Sequence, residues 1–538
     1  MDAYEKFYLE FGWQTPDYFN FGDTIDQFAA DPGRVALLWE DEDGNRARLT
    51  FADISNQSNQ VANVLNGLGI KRGDPVMIAL PRLTLWQAAY VGVLKIGGLA
   101  IPCDPMLREK DLIYRANHSE AVAIIAGPDS AEMIFDLRSE CPSLKHFLIA
   151  GSARNGWVSL RDAMNHATMA FTPVRTWSNE PAICYYTSGT SREPKAVLHS
   201  HSYIYAQRFT GSLWLDLKAG GVHWTNSDTG WAKAAYGMIF GPWMNGATTF
   251  MYRGAAEPVK QLELIRRYGI TTFCAPPSEF RMLVKEELER YPLPSLRHCT
   301  AAGEPLNPEV IRAWHDRYKL TIHDGYAQTE AGLIAANLPI MEVRPGSMGR
   351  PFPGLDVRVV ADNLSECYVD MVGEVAIRVI PQRPPSLMLG YWKNAAENAH
   401  AFVRDFYLTG DYAYRDSGGY LWFVARADDV IDSAGYRIGP FEVESVLLEH
   451  PAVMESAVVG SPDPDRGTIV KAFVKCKPGV ERTFLLAHEL QQHVKRVTAP
   501  YKYPREIEFV DELPKTVSGK IRRVELRRLE ERRKLGGA

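Results

Sequence analysis

From Leu49 to Pro102 the chain alternates between two periodicities, and that alternation limits the folds open to it. "FADISNQSNQVANVLNGLG" carries apolar residues at helical spacing and stops at a glycine, "DPVMIAL" is a short apolar strand, and "LWQAAYVGVLKIGG" is a second helix ending in glycines. Strands separated by helices imply a parallel sheet, because a parallel neighbour needs a crossover, and the helix makes that crossover while covering the sheet. The rhythm returns mid-chain, with strand "ATTFMY", helix "VKQLELIRRYG", strand "TTFCAPP" and helix "PEVIRAWHDRYK" leading into "TIHDGYAQTE". From about Gly346 to Tyr420 it gives way to short strands such as "DVRVV" and "GEVAIRVI" between turn residues, which predicts an antiparallel section. After "ARADDVIDSAGYRIGP" a small αβ unit follows: helix "FEVESVLLEH", strands "SAVVGSP" and "KAFVKC", helix "AHELQQHVKR". At 538 residues the chain is too long for one hydrophobic core. The fold class expected is multi-domain α/β: a large N-terminal domain of helix-covered sheets with a small barrel-like section, then a small C-terminal α+β domain.

The bulk numbers exclude several function classes. A net charge of −5 gives no reason to expect nucleic acid. No apolar run reaches the length of a membrane span. The start, "MDAYEKFYLEFGW", has neither the pattern of a signal peptide nor the Arg-rich bias of a transit peptide. Seven scattered cysteines without a C-x-x-C pair argue against disulfide staples and zinc sites, and the expected compartment is the cytoplasm. The charged tail "KIRRVELRRLEERRKLGG" is expected to be a helix with a solvated face and i,i+4 pairs.

The chemistry gathers first at "CYYTSGTSREPKAVLHSH". The apolar run Ala182 to Tyr186 predicts a buried strand, which ends in Thr187, Ser188, Gly189, Thr190 and Ser191, with Lys195 after Pro194. The residues alone leave two readings open. Hydroxyls and backbone N–H groups supply donors, glycine lets the backbone come close and a lysine neutralises charge, which suits phosphate; the same composition also makes an ordinary Ser/Thr turn. It is not a Walker A loop, which needs Gly-Lys-[Ser/Thr] opening a helix.

The whole segment "YTSGTSREPKAV" resembles the signature loop of the adenylate-forming superfamily, T-S-G-[ST]-T-G-x-P-K-G. Further motifs of that family follow in order: "GEPLNPEV" from Gly303, "DGYAQTE" from Asp324, "YLTGDYAYRDSGGYLWFVARADDVIDSAGYRIGP" from Tyr407 and "PKTVSGKIRR" from Pro514. The likeness covers essentially the whole chain, and "FNFGDTID" with "SDTGWAKAAYG" at Ser227 leans toward the medium-chain acyl-CoA synthetases. The resemblance implies two half-reactions: a carboxylic acid attacks the α-phosphate of ATP to give acyl-AMP and pyrophosphate, and the thiol of coenzyme A then displaces AMP.

What the family implies for residues follows its motifs. Thr187, Ser188, Gly189, Thr190, Ser191 and Lys195 would hold the β- and γ-phosphates. Arg192 and Ala196 stand where the family has glycines; Arg192 would either restrict the loop, if the position needs a positive φ, or add a phosphate-facing cation, and activity is expected to survive. Glu330 would bind Mg2+ on the triphosphate, and Thr329 would touch the α-phosphate. Asp324, Gly325 and Tyr326 would line the adenine, with Tyr326 stacking, opposite Gly303, Glu304 and Pro305. Asp411 would accept both ribose hydroxyls, joined by Arg426. Lys520 would bridge the acid and the α-phosphate, Arg437 would contact phosphate, Asp428 would be the hinge between domains 1–427 and 428–538, and the segment around Gly435 would shape the coenzyme A tunnel when the mobile C-terminal domain rotates. Taken alone, Tyr326 would be ordinary core, Glu330 and Asp411 turn residues, and Lys520 a surface lysine.

The acid is a medium-chain, branched or aryl monocarboxylate by the same likeness. Ala327 stands where acetyl-CoA synthetases close the acyl pocket with tryptophan, Trp231 matches a pocket tryptophan or is core, and Gly237, Met238 and Trp243 are further candidate walls. Two other functions share the motifs: a stand-alone adenylating enzyme that loads a carrier protein, and a non-catalytic acyl-adenylate binder.

Overall fold

A computed structural model describes residues 2–134, 138–154, 156–187, 193–255, 257–427, 429–433, 436–463, 467–515 and 521–535. Ser188, Gly189, Thr190, Ser191, Arg192, Asp428, Gly435 and Lys520 lie outside the described residues, as does the side chain of Arg437.

Two large sheets form the N-terminal part. In the first, strands Pro75–Ala79, Leu99–Pro102, Ala123–Ala126, His146–Ile149 and Val158–Ser159 run parallel, and Pro181–Thr187 joins them parallel to Leu99–Pro102. In the second, Val35–Asp41, Thr248–Arg253, Val222–Thr225, Thr272–Ala275, His298–Ala302 and Ile322–Gln328 are parallel neighbours in that order. The crossovers are the expected helices. Phe51–Gly67 opens with a capping box, the Thr50 hydroxyl accepting from the Asp53 N–H while the Asp53 carboxylate accepts from the Thr50 N–H, and it ends near Gly69 at φ +83°. Thr84–Lys95 is buried along almost its whole length, as a helix between sheets must be.

The change of texture after Gly346 is a change of sheet. Val357–Val360, Gly373–Arg378, Phe406–Arg415, Phe402–Val403 and Leu421–Arg426 form a five-stranded antiparallel sheet. The C-terminal unit has strands Val453–Asp463 and Gly467–Cys476 antiparallel, with Glu506–Phe509 parallel to the latter, covered by helices Pro440–Glu449, Phe484–Val497 and Arg523–Leu535.

The tail helix departs from expectation. Its Glu530 is fully buried, accepting from Lys471 at 2.7 Å and the Ser461 hydroxyl at 2.8 Å. Arg523 donates twice to the buried Glu444, at 2.6 and 2.9 Å, and Arg527 pairs with Asp429. The helix is docked by ion pairs to the sheet, to helix Pro440–Glu449 and to the segment beside residue 428, and by Leu526, buried with Ala457, Val459, Phe473 and Leu513.

Candidate active site

Strand geometry converges the candidate residues. Pro181–Thr187 pairs antiparallel with Lys195–Ser200, with Thr187 opposite Lys195 and Tyr186 opposite Ala196. A two-residue strand, Gly390–Tyr391, adds to the far edge of Lys195–Ser200, Tyr391 opposite Val197. It brings the short helix Ala395–Ala401 beside Lys195, whose ammonium pairs with Glu397 at 2.6 Å and lies 5.2 Å from the centre of the Tyr391 ring. The Tyr391 hydroxyl donates to Glu330 at 3.0 Å, and burial raises the Glu330 carboxyl above its ordinary range.

Thr329 is held by its backbone. The His199 ring stacks on Tyr203, with centroids 3.8 Å apart, and its Nε2 lies 2.7 Å from the Thr329 carbonyl. Burial pushes His199 down to about 3, so the ring is neutral and Nε2–H is the donor.

Asp411 lies on Phe406–Arg415, paired with Arg426 on the next strand. Tyr326 Oη donates to its Oδ2 at 2.5 Å and Gln328 Nε2 at 2.6 Å; Arg426 Nε stands 3.9 Å from Oδ1. Tyr326 and Gln328 are two residues apart on one strand and therefore share a face. Gln328 also donates to the Thr409 carbonyl at 2.8 Å and accepts from Tyr407 at 2.9 Å. The Asp411 carboxylate is thus oriented before any ligand arrives.

Asp324 and Gly325 pair in register with Ala301 and Ala302, so the "GEP" segment and the "DGY" segment leave neighbouring strands side by side. The Asp324 carboxyl accepts from the Gly325 N–H at 2.9 Å, and burial pushes it up to about 8. Gly303 takes φ +109°, a conformation only glycine holds readily, and open space lies in the direction of an added Cβ. Glu304 is paired with Arg281 at 2.7 Å.

The acyl candidates divide. Ala327 pairs with Leu333 across the sheet and packs on the buried cluster that includes Leu333 and Trp214. Gly237 is buried, and a Cβ there would come within 2.4 Å of the Thr225 hydroxyl. Trp231 is not core: it is 40% exposed and donates to Asp104 at 3.0 Å. Trp243 is fully buried against Phe51 and donates to the Ala36 carbonyl at 3.0 Å, and Met238 is buried in the same cluster.

The motifs did not point to Gln328, Tyr391, Glu397, Tyr407 or His199. Gln328 was visible in "YAQTE" through its strand spacing from Tyr326. Nothing local marks Glu397, which meets Lys195 across 202 positions of sequence.

The chain belongs to the AMP-binding enzyme family: that family's model matches residues 25–392, and the model of its C-terminal domain matches residues 442–520. Within the family its likeness is to acyl-CoA synthetases. It is 43% identical to the human acyl-coenzyme A synthetase ACSM3, mitochondrial, over 98% of this chain and 92% of that protein. Among solved structures, the Brucella canis acyl-CoA synthetase is 34% identical with a TM-score of 0.77, covering 99% of this chain and 100% of that one. The anthranilate CoA ligase AuaEII, solved with anthranoyl-AMP, is 29% identical with a TM-score of 0.88, covering 96% and 98%.

Proposed function

We propose that this protein is an AMP-forming acyl-CoA synthetase that activates a medium-chain, branched or aryl monocarboxylic acid through an acyl-AMP intermediate, using ATP, Mg2+ and coenzyme A. The observation that carries the reading is the carboxylate of Asp411, fixed by Tyr326 and Gln328 and faced by Arg426, in the same chain of contacts as the strand that leads to Glu330. A carboxylate with committed geometry suits the paired hydroxyls of a ribose. Thr187, Ser188, Gly189, Thr190, Ser191 and Lys195 would take the β- and γ-phosphates.

Mg2+ is a hard cation that keeps several waters and takes few protein ligands when phosphates supply the rest. Glu330 fits that demand as a single carboxylate already held in place by Tyr391. When bound, the ion would neutralise phosphate charge. Thr329, its backbone locked by His199, would present its hydroxyl to the α-phosphate. The adenine would lie between Gly303–Glu304–Pro305 and Asp324–Gly325–Tyr326. Lys520 would approach the reacting carboxylate, offsetting the repulsion as one anion attacks another. The domains would divide at 428, with Asp428 as hinge, Arg437 serving adenylation and the Gly435 segment serving the thioester step.

The acid class rests on Ala327, which leaves room where a tryptophan would close the pocket, and on the likeness to a ligase solved with an aryl adenylate. Trp231 and Gly237 stay as candidates for the pocket's edge. The proposed compartment is the cytoplasm, supported by seven buried cysteines without disulfide partners.

The test is a panel of acids given to the purified protein with Mg-ATP and coenzyme A. AMP, pyrophosphate and thioester should form together with a subset of the panel. Pyrophosphate exchange without thioester would indicate loading of a carrier protein instead. Absence of exchange with every acid would make the protein a non-catalytic binder and overturn the proposal.

A further inference from the structure

Lys195 is not idle before nucleotide binds. Its ammonium is 2.6 Å from Glu397 Oε2, with side-chain exposures of 24% and 33%. The partner is on a fixed support. The backbone N–H of Tyr391 donates to Asn398 Oδ1 at 2.7 Å, and Asn398 Nδ2 donates back to the Tyr391 carbonyl at 2.8 Å. Trp392 N–H donates to the Ala196 carbonyl at 2.8 Å. The helix with Glu397 is therefore stitched to the strand that begins at Lys195, and Glu397 can leave its partner only by rotating its side chain.

Lys195 faces Glu397 directly, and its ammonium lies over the ring of Tyr391, whose hydroxyl is turned to Glu330. A polyphosphate arriving there meets a lysine whose charge is already matched by a carboxylate. The ion pair is partly solvated and so of small net strength, which lets a triphosphate of several charges displace a single carboxylate.

We propose that Glu397 is a displaceable counter-anion for Lys195: it holds the ammonium in the nucleotide-free protein, must be exchanged for phosphate when ATP binds, and weakens binding of the β- and γ-phosphates. The proposal rests on the reading of Lys195 as a phosphate ligand. Glu397 is on this view a positioning residue that sets nucleotide affinity, and it is not a catalytic residue.

The test is Glu397→Gln, which keeps the shape and removes the charge, with Glu397→Ala as a second variant and a thermal melt to show that both fold. Affinities for Mg-ATP, pyrophosphate and AMP are measured calorimetrically without acid. Both variants should bind Mg-ATP and pyrophosphate about three- to fivefold more tightly than wild type, the scale of one partly exposed ion pair, while AMP, which lacks the outer phosphates, is unaffected. In a Lys195→Ala background the Glu397→Gln change should have no effect. Unchanged or weaker Mg-ATP binding would overturn the proposal, and so would equal tightening of AMP. If wild type binds Mg-ATP but the variants bind it no better, only the counter-anion role falls; if wild type binds no nucleotide, the functional reading falls with it.

Discussion

Asp411 accepts hydrogen bonds from Tyr326 and Gln328 and stands opposite Arg426, so its carboxylate is aimed. Hydrogen bonds to a charged group are worth about 1.5–3 kcal/mol each. Asp411→Ala should therefore raise the KM for ATP by at least ~10-fold in a steady-state assay, on the assumption that the carboxylate meets the ribose. Burial pushes the Asp324 carboxyl up to about 8 from an ordinary 3.8, against two backbone N–H donors, Gly325 and Leu306, that favour the ionised form. The folded protein keeps a proton that the unfolded chain releases near pH 3.8. Its contribution to stability is complete below that value and is lost as pH rises toward about 8. Asp324→Asn has no proton to lose, so the stability of wild type relative to the variant should fall with rising pH and level off above about 8, read by urea unfolding across that range.

Elements act here as carriers of single residues. Ile322–Gln328 was legible as a strand and its motif marked Tyr326, but which face each residue takes follows from pairing with His298–Ala302 and Gly332–Ala336. The strand Gly390–Tyr391 is two residues long and carries no local signal, yet it brings Tyr391 and Glu397 to Lys195. The tail helix Arg523–Leu535 reads as a solvated charged helix because charged residues dominate its sequence; its anchors are Leu526 with Leu529 against a small core, the buried Glu530 and the bidentate pair from Arg523 to Glu444. Glu444 is 5% exposed, so removing its guanidinium partner leaves a buried charge. Arg523→Met should cost about 3 kcal/mol in chemical denaturation. The double variant Arg523→Met with Glu444→Gln should recover part of that loss, since the orphaned charge is then gone.

At the scale of the molecule, the C-terminal unit touches the N-terminal part where Asn307 donates to the Ser445 hydroxyl at 3.1 Å, and where Gly439 lies so close to Val424 that an added Cβ would be 2.2 Å from its carbonyl. The proposed rotation of that unit between half-reactions is the basis of one expectation. Lys520→Ala should cut acid-dependent pyrophosphate release by ~100-fold or more while thioester formation from supplied acyl-AMP continues, because charge is needed at the adenylation step alone. Equal loss of both half-reactions would count against rotation. The sequence by itself determined the order of helices and strands, the change to an antiparallel sheet after Gly346 and the motif residues Lys195, Glu330 and Asp411, because periodicity, glycine stops and short motifs are local properties of the chain. Tertiary structure alone decided that Gln328 and Tyr326 share the Asp411 carboxylate, that Trp243 is core while Trp231 is exposed, and that Glu397 faces Lys195. Those outcomes depend on which strands become neighbours, and pairing brings together residues 83 to 202 positions apart that no local pattern links.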